Sequence, residues 1–386
     1  MASKTNYTMN GKEYFRISAS FGRDSNGKLI RKFFYGKNKK EAEKKLEEYR
    51  DSLKQGLIPD KNIFLYPLME TWLFEIIRNG IKPTTFDTYE DIFRNYIKTA
   101  PFAYKVLKDI KAIEIQKYYN SLKSIGKSTS RIIYLNKLLK QFMVYAVNEG
   151  YILRNPCIKI VIPGKNEEIK KEIEVFPKED LIKILECKEN SMIRDLTLIC
   201  LSTGMRRGEA LGLNWDDVDY INNEIHIKRN IGTTTVIYEN RRKKEQLILT
   251  PKTKSSYRTI PLPESLIPVF NCLKKRQNED ILKAGQSYSK EYKGFIFLTA
   301  SGNLINTSNI TKSWNLFLKR IGVDYKKFHT LRHTYATLQF EANIPVKTVS
   351  TLLGHSKIDI TANTYTHVLK HQKEKAIDII NVLKMC

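Results

Sequence analysis

Several features are scarce in this sequence, and each scarcity closes off a class of protein. No apolar run approaches 18 residues, and residues 1–12 are polar, so neither a membrane-spanning helix nor a secretory leader is expected. Cysteine is rare: Cys157, Cys187, Cys200, Cys272 and Cys386 are scattered, odd in number and without a CxxC pair. That usage fits reduced thiols in a cytoplasmic protein, not a disulfide or zinc framework. No internal repeat, no low-complexity tract and no glycine-rich phosphate-cradling motif is present. Acidic residues are also short: 41 Asp and Glu face 66 Lys and Arg, giving a formal charge of +25 and a pI of about 9.6. Such an excess favours a polyanion, and without membrane features nucleic acid is the better partner.

What is present is a chain of 386 residues with 41% hydrophobic residues, enough for real cores and for two or three domains. Residues 13–22 alternate, with Phe15, Ile17, Ala19 and Phe21 on one face and Tyr14, Arg16, Ser18 and Ser20 on the other. A turn signal at Asp24–Gly27 precedes a second strand from Leu29 to Tyr35, in which Arg31 and Lys32 take opposite faces. Asn38 and Glu41 read as a capping box ahead of a helix bearing Ala42, Leu46, Tyr49 and Leu53. Residues 1–55 are thus expected to form a small sheet backed by one helix. Two readings of its basic face stay open: DNA contact through Arg16, Arg31 and Lys32, or ordinary solvated charge.

Residues 63–160 carry four apolar stripes at helical spacing, expected to form a bundle. Thr84 and Asp87 look like a capping pair for the second helix. Lys82, Lys111, Lys127 and Arg131 sit near helix starts, where cations oppose the helix dipole. Phosphate contact and plain solvation are equally open for them. Residues 161–175 are polar and read as a linker. From Phe176 the chain reads as mainly α, interrupted by strands between 224 and 262. The expected fold class is therefore multidomain α+β: a sheet-plus-helix module, a helical domain at 63–160, and a mainly α domain at 176–370 with a small antiparallel sheet. A last stripe, Ala376, Ile379, Ile380 and Leu383, marks a short helix in 371–386.

Chemistry concentrates in the last third. His329 and Arg332 are three apart and share a helix face; Gly354 stops a second helix, His355 follows it, and Tyr365 comes ten residues later. Arginine suits a phosphate, because its planar fork bonds two oxygens and stays charged. Tyrosine serves as a covalent nucleophile. Together they suggest attack by tyrosine on a phosphodiester. His329 and His333 at i, i+4 leave a metal pair open, although HTLRH lacks the glutamate of HExxH.

Five stretches bear a resemblance: TGMRRGEALGLNWDDVD at 203–219, PKTKSSYRTIPL at 251–262, HTLRH at 329–333, LLGH at 352–355 and NTYTH at 363–367. In order and spacing they resemble the tyrosine recombinases, within them the phage and conjugative-transposon integrases, a fold shared with type IB topoisomerases. The resemblance implies that Arg206, Lys252, His329, Arg332, His355 and Tyr365 match the catalytic positions. Tyr365 would be the nucleophile, His329 its base or hydrogen-bond partner, and Lys252 the acid at the leaving 5′ oxygen. Arg206 and Arg332 would clamp the nonbridging oxygens, His355 would donate to a phosphate oxygen and orient the tyrosine, and Glu209 would hold an arginine or histidine in place. Lys254 stays a rival to Lys252; TG-x-R selects Arg206 over Arg207.

The resemblance further implies an arm-binding domain at 1–55, a core-binding domain at 63–160, and a C-terminal helix passed to a neighbouring subunit. The local shape at 98–104 departs from the short glycine turn common in the family. Implied partners are double-stranded DNA at core and arm sites, a homotetramer, and an excisionase-type accessory protein. No metal and no cofactor is implied, since a phosphotyrosine link conserves the energy of the broken bond. A type IB topoisomerase and a non-catalytic DNA-binding regulator remain the rival readings.

Overall fold

The computed structural model describes residues 5–9, 11–23, 29–54, 62–165, 173–238, 241–249 and 257–365. The chain divides into two compact units, residues 1–169 and 170–386.

The first unit opens with a three-stranded antiparallel sheet, β1 (Tyr7–Met9), β2 (Lys12–Arg23) and β3 (Leu29–Gly36), in sequence order. Helix α1 (Lys39–Lys54) packs on β2 and β3. Half of the expected capping box forms at its start: Glu41 N donates to Asn38 Oδ1 at 3.0 Å, but the Glu41 carboxylate accepts from Lys37 N at 2.8 Å, one residue before Asn38. The alternation of β2 half-buries one face, Phe15, Ile17, Ala19 and Phe21, and there Phe21, Phe34 and Tyr49 meet edge to face. Arg16 lies over the Tyr7 ring at 4.3 Å and Lys32 over Tyr49 at 4.2 Å; Arg31 is exposed.

The helical part begins with α2 (Leu65–Thr71), which runs through π-helical turns at Trp72–Ile77 into α3 (Arg78–Gly80). Helix α4 (Pro83–Ile92) extends through a further π-helical segment, Phe93–Ile97. Its N-cap is Lys82 and its first residue Pro83, so the cap falls earlier than Thr84. Proline explains this, since it is pre-set for the first helical turn and lacks the N–H that would go unbonded. Helices α5 (Ala112–Ser124) and α6 (Thr129–Asn148) complete the bundle, and Ile115, Leu135, Leu139 and Phe142 are fully buried. Between α4 and α5 the chain forms turns that bury Ala100, Phe102 and Ala103. Here an apolar plug replaces a short glycine turn. Lys111 and Lys127 are exposed, while Arg131 pairs with Asp91 at 3.0 Å.

In the second unit, α7 (Lys178–Glu186), α8 (Met192–Thr203) and α9 (Arg207–Leu211) precede a sheet of β4 (Val218–Asp219), β5 (Glu224–Ile227) and β8 (Arg258–Pro261). A separate antiparallel pair joins β6 (Asn230–Tyr238) to β7 (Arg241–Leu249). Then follow α10 (Ile267–Ala284), α11 (Thr307–Arg320), α12 (Thr330–Glu341), α13 (Val346–Leu353) and α14 (Ile358–Thr364). Helix α8 is the spine of this unit, packing against α9, α10, α11 and α12. It is buried nearly all round, with Asp195, Thr197 and Thr203 inside beside its apolar residues. Trp314, fully buried on α11, stacks on Phe317 and meets Phe176 and Phe328 edge to face. The short strand β4 and the helix before Tyr365 carry no periodicity long enough to read from sequence. Lys252, Lys254 and the stripe at 376–383 lie outside the described residues.

Candidate active site

Four segments of the second unit meet at one place. Thr203-Gly204 ends α8, and Gly204 caps it in the left-handed conformation at φ 65°. A Cβ there would strike the Tyr335 ring, so only glycine allows this turn. The turn sets Arg206 as the N-cap of α9, and Glu209 folds back to accept from Arg206 N at 2.9 Å and Nη1 at 2.7 Å.

Arg332, on α12, is only 3% exposed. It donates Nη1 to the Gly204 carbonyl at 2.8 Å and Nη2 to the Leu353 carbonyl at 2.6 Å. Its Nη2 also lies 2.9 Å from His355 Nε2. Burial first, then Arg206, pushes Arg332 down to about 9, which still leaves a cation at neutral pH.

His355 is pushed down to about 4, by burial first and then by Arg332, so its ring is neutral near pH 7. Arginine only donates, so Nε2 must accept and Nδ1 must carry the proton, which it gives to Thr361 Oγ1 at 2.7 Å. Both ring nitrogens are thus engaged in this arrangement.

His329 is the N-cap of α12, and His333 follows one turn on, their rings 4.8 Å apart and edge to face. Both imidazoles are pushed down by desolvation first; His329 is lowered further by His333 and then Arg332, and His333 by Arg332. Because the His329 ring stays exposed, solvent offsets part of that push, but the direction makes it neutral near pH 7. Arg206 and His329 line one cleft of about 530 Å³ with Arg207, Asn230, Thr233 and Tyr325. Arg206 is 37% exposed there, enough to meet a ligand. Arg207 turns toward Thr311, donating Nη1 to Oγ1 at 3.0 Å.

Tyr365 follows α14 and is 1% exposed. Its ring packs in a cluster with Ala336, Phe340, Val349 and Leu353, and its Oη lies 2.9 Å from His333 Nδ1. Burial raises the phenol to about 12, with Arg332 pulling the other way. The partner of the phenol is therefore His333, which in the sequence stood only as half of a possible metal pair. Among the described residues, no group of three or more His, Cys, Asp and Glu side chains converges as a metal site would require.

A further residue enters that sequence reasoning left as a strand position. Arg258, at the head of β8, has a side chain 4% exposed and donates Nη2 to Glu209 Oε2 at 2.8 Å and Nη1 to Oε1 at 3.2 Å. A signal existed: Arg258, Ile260 and Leu262 share the period-2 face, and Ile260 and Leu262 are buried. A charged residue on an inward face requires a buried partner. Burial works against the Glu209 carboxylate, but Arg258 and then Arg206 hold it down to about 2.

Residues 174–372 match the phage integrase family. The chain belongs to that family, the tyrosine recombinases. Its members are DNA strand-transferring enzymes, and so is this one. Residues 64–123 match the N-terminal SAM-like domain of phage integrases. A relative described as tyrosine recombinase XerC-like, from Caldanaerobacter subterraneus subsp. tengcongensis, is 50% identical over 389 residues, covering 99% of this chain and 100% of its own. The integrase of Staphylococcus phage L54a is 29% identical, over 80% of this chain and 90% of its own. In fold, the chain is similar to the Tn1549 transposon integrase in complex with a circular intermediate DNA, with TM-score 0.64 and 20% identity, over 80% of this chain and 98% of that one. It is also similar to a lambda integrase tetramer bound to a Holliday junction, with TM-score 0.55 and 18% identity, over 92% of this chain and 96% of that one. Among the described residues, no helix is long and apolar enough to cross a membrane.

Proposed function

We propose that this recombinase is the integrase of a mobile genetic element and works through a 3′-phosphotyrosine link and a four-way DNA junction, in integration and in excision. The observation that carries the reading is the convergence of Arg206, Arg332, His329 and His355 beside Tyr365, with Arg206 and His329 open to one cleft. In the reaction, Tyr365 Oη bonds to the scissile phosphorus as the bond from phosphorus to the 5′ oxygen breaks. The phenol proton passes to the neutral His329–His333 pair, and Lys252 protonates the departing 5′ oxygen. Arg206 and Arg332 bind the charge that builds on the nonbridging oxygens, the largest contribution in reactions of this kind. His355 orients Arg332, and Glu209 positions Arg206. The phosphodiester energy is kept in the tyrosyl link, so strand rejoining by the partner's 5′ hydroxyl needs no other energy source.

Tyr365 Oη is covered in the free protein, so attack requires the segment after α13 to open on DNA. Coupling that opening to assembly would confine cutting to a tetramer. The lambda integrase tetramer supports assembly of this order, and the Tn1549 complex supports circular element DNA as a substrate. Within this scheme, residues 1–55 bind arm-type DNA through Arg16, Arg31 and Lys32. Residues 63–160 bind core DNA through Lys82, Lys111, Lys127 and Arg131. The catalytic domain spans 176–370 after a linker at 161–175, and residues 371–386 dock on a neighbour. The protein would act in the cytoplasm, with an excisionase-type partner setting direction. The test is recombination between two DNA segments carrying the junctions that flank its gene. Exchange with a protein-linked 3′ end at each cut supports the reading; relaxation of supercoiled DNA without exchange would replace it with a topoisomerase.

A further inference from the structure

Arg258 belongs to none of the roles above, yet it touches both halves of the site. Its Nη1 and Nη2 grip the two oxygens of Glu209, the carboxylate that also holds the backbone and side chain of Arg206. Its Nε donates to the Leu352 carbonyl at 2.7 Å, in the last turn of α13. The next carbonyl, Leu353, takes Arg332, and two residues further His355 meets that same guanidinium. Between them Gly354 stands at φ 68°, and a Cβ there would come within 2.8 Å of Arg258 Nη1 and 3.2 Å of its Cζ. The turn that presents His355 is thus built over the Arg258 guanidinium, and glycine is what lets it lie so close. Arg258 also begins β8, directly after the segment that contains Lys252.

We propose that Arg258 is a positioning residue, which locks Glu209 and Arg206 to the turn bearing His355 so that the phosphate-binding groups keep one fixed spacing. The inference rests on the assignment of Arg206 as a phosphate clamp. Two arguments favour this role over a purely structural one. A buried ion pair is a poor way to gain stability, since well-packed apolar groups serve as well, but it does fix geometry. Charge gives the second argument. A carboxylate 2.7 Å from Arg206 would by itself cancel the charge that Arg206 offers a phosphate. Arg258 neutralises Glu209, so Arg206 is held in place and stays electrophilic. Lysine cannot substitute, because three donors fixed in one plane are used, two on the carboxylate and one on a carbonyl.

The experiment compares wild type, Arg258→Lys and Arg206→Lys in single-turnover cleavage of nicked DNA that spans the element's own junction. Two versions of the DNA are used, one with an ordinary scissile phosphodiester and one with a methylphosphonate, whose phosphorus bears one fewer charged oxygen. Binding to the same DNA is measured in parallel. If Arg258 positions the clamp, Arg258→Lys binds normally and cleaves the phosphodiester about 100-fold more slowly, the scale of a small misplacement of a catalytic group. On the methylphosphonate, where less charge needs a clamp, most of that deficit relative to wild type disappears, as it does for Arg206→Lys. Equal deficits on both DNAs, no deficit, or loss of DNA binding with Arg258→Lys would each overturn the inference and leave Arg258 as a strut. If Arg206→Lys also shows no relief, the clamp assignment itself fails, and the two failures are told apart by that control.

Discussion

Glu209→Gln removes one charge from a buried network and leaves its shape nearly unchanged. The carboxyl is held at about 2 against an ordinary 4.5, chiefly by Arg258 and Arg206 working against burial. Tenfold in the protonation equilibrium is worth about 1.4 kcal/mol, so a carboxyl held from 4.5 down to about 2 gains roughly 3 kcal/mol of stability at pH 7 from its ionised form. The sign follows from the direction of the shift. A depressed folded pKa stabilises fully above the unfolded value of about 4.5, and the contribution is lost as pH falls through about 2. At pH 3 the same relation leaves roughly 1 kcal/mol. Wild type and Glu209→Gln should therefore differ by about 3 kcal/mol at pH 7, and the gap should close by more than half at pH 3. Of the three tryptophans, Trp215 and Trp314 lie in the second unit and Trp72 in the first. Urea unfolding followed by tryptophan fluorescence, with Trp72→Phe in both proteins, then reports the second unit alone. A gap that is independent of pH, or that widens toward acid, would refute the assignment of Glu209 as the ionised hub.

Other outcomes follow from the same site and its surroundings. Lys252→Ala should slow cleavage of an ordinary phosphodiester by about 10²–10⁴-fold, and a 5′-bridging phosphorothiolate, whose leaving group needs no proton, should restore much of the rate. Rescue of Lys254→Ala in place of Lys252→Ala would exchange the two lysines. Deleting residues 1–55 should spare cleavage of an isolated core site and impair recombination of full-length ends, with a salt-dependent loss of arm binding read by gel shift; loss of core cleavage too would contradict two separately read sites. Truncation after Lys375 should abolish stable tetramers on DNA and leave monomer binding intact. Tetramers at wild-type concentration would mean that the tail packs on its own subunit.

The sequence carried the architecture where the pattern was long: the β2–β3 alternation, the four stripes of the helical domain and the buried run of α8 at Leu196–Leu201. It was less legible where short elements or tertiary partners decide. Five-residue α9 and seven-residue α14 show no period of their own, yet they place Arg206 and Tyr365. The i, i+3 spacing expected His329 and Arg332 on one helix face; in the structure His329 is the exposed N-cap and Arg332 is buried one turn on, and spacing does not tell which histidine faces a residue 32 positions away. That histidine is His333, whose ring reaches Tyr365 from one turn further along. Arg258 was masked by its setting in a strand, although its parity with Ile260 and Leu262 already pointed it inward. The carbonyls of Gly204 and Leu353, which seat Arg332, are invisible to any reading of side chains.

The central claim is that Tyr365 is the nucleophile, and replacing only its hydroxyl tests it most directly. Tyr365→Phe keeps the ring that packs against Phe340 and gives up one hydrogen bond to His333, about 1 kcal/mol by the usual net value. The variant should stay folded and bind core DNA like wild type. On a nicked suicide substrate, wild type should accumulate a covalent adduct that maps by mass spectrometry to the peptide containing Tyr365, and Tyr365→Phe should form none. A covalent adduct from Tyr365→Phe, or a wild-type adduct mapped to another residue, would contradict the account.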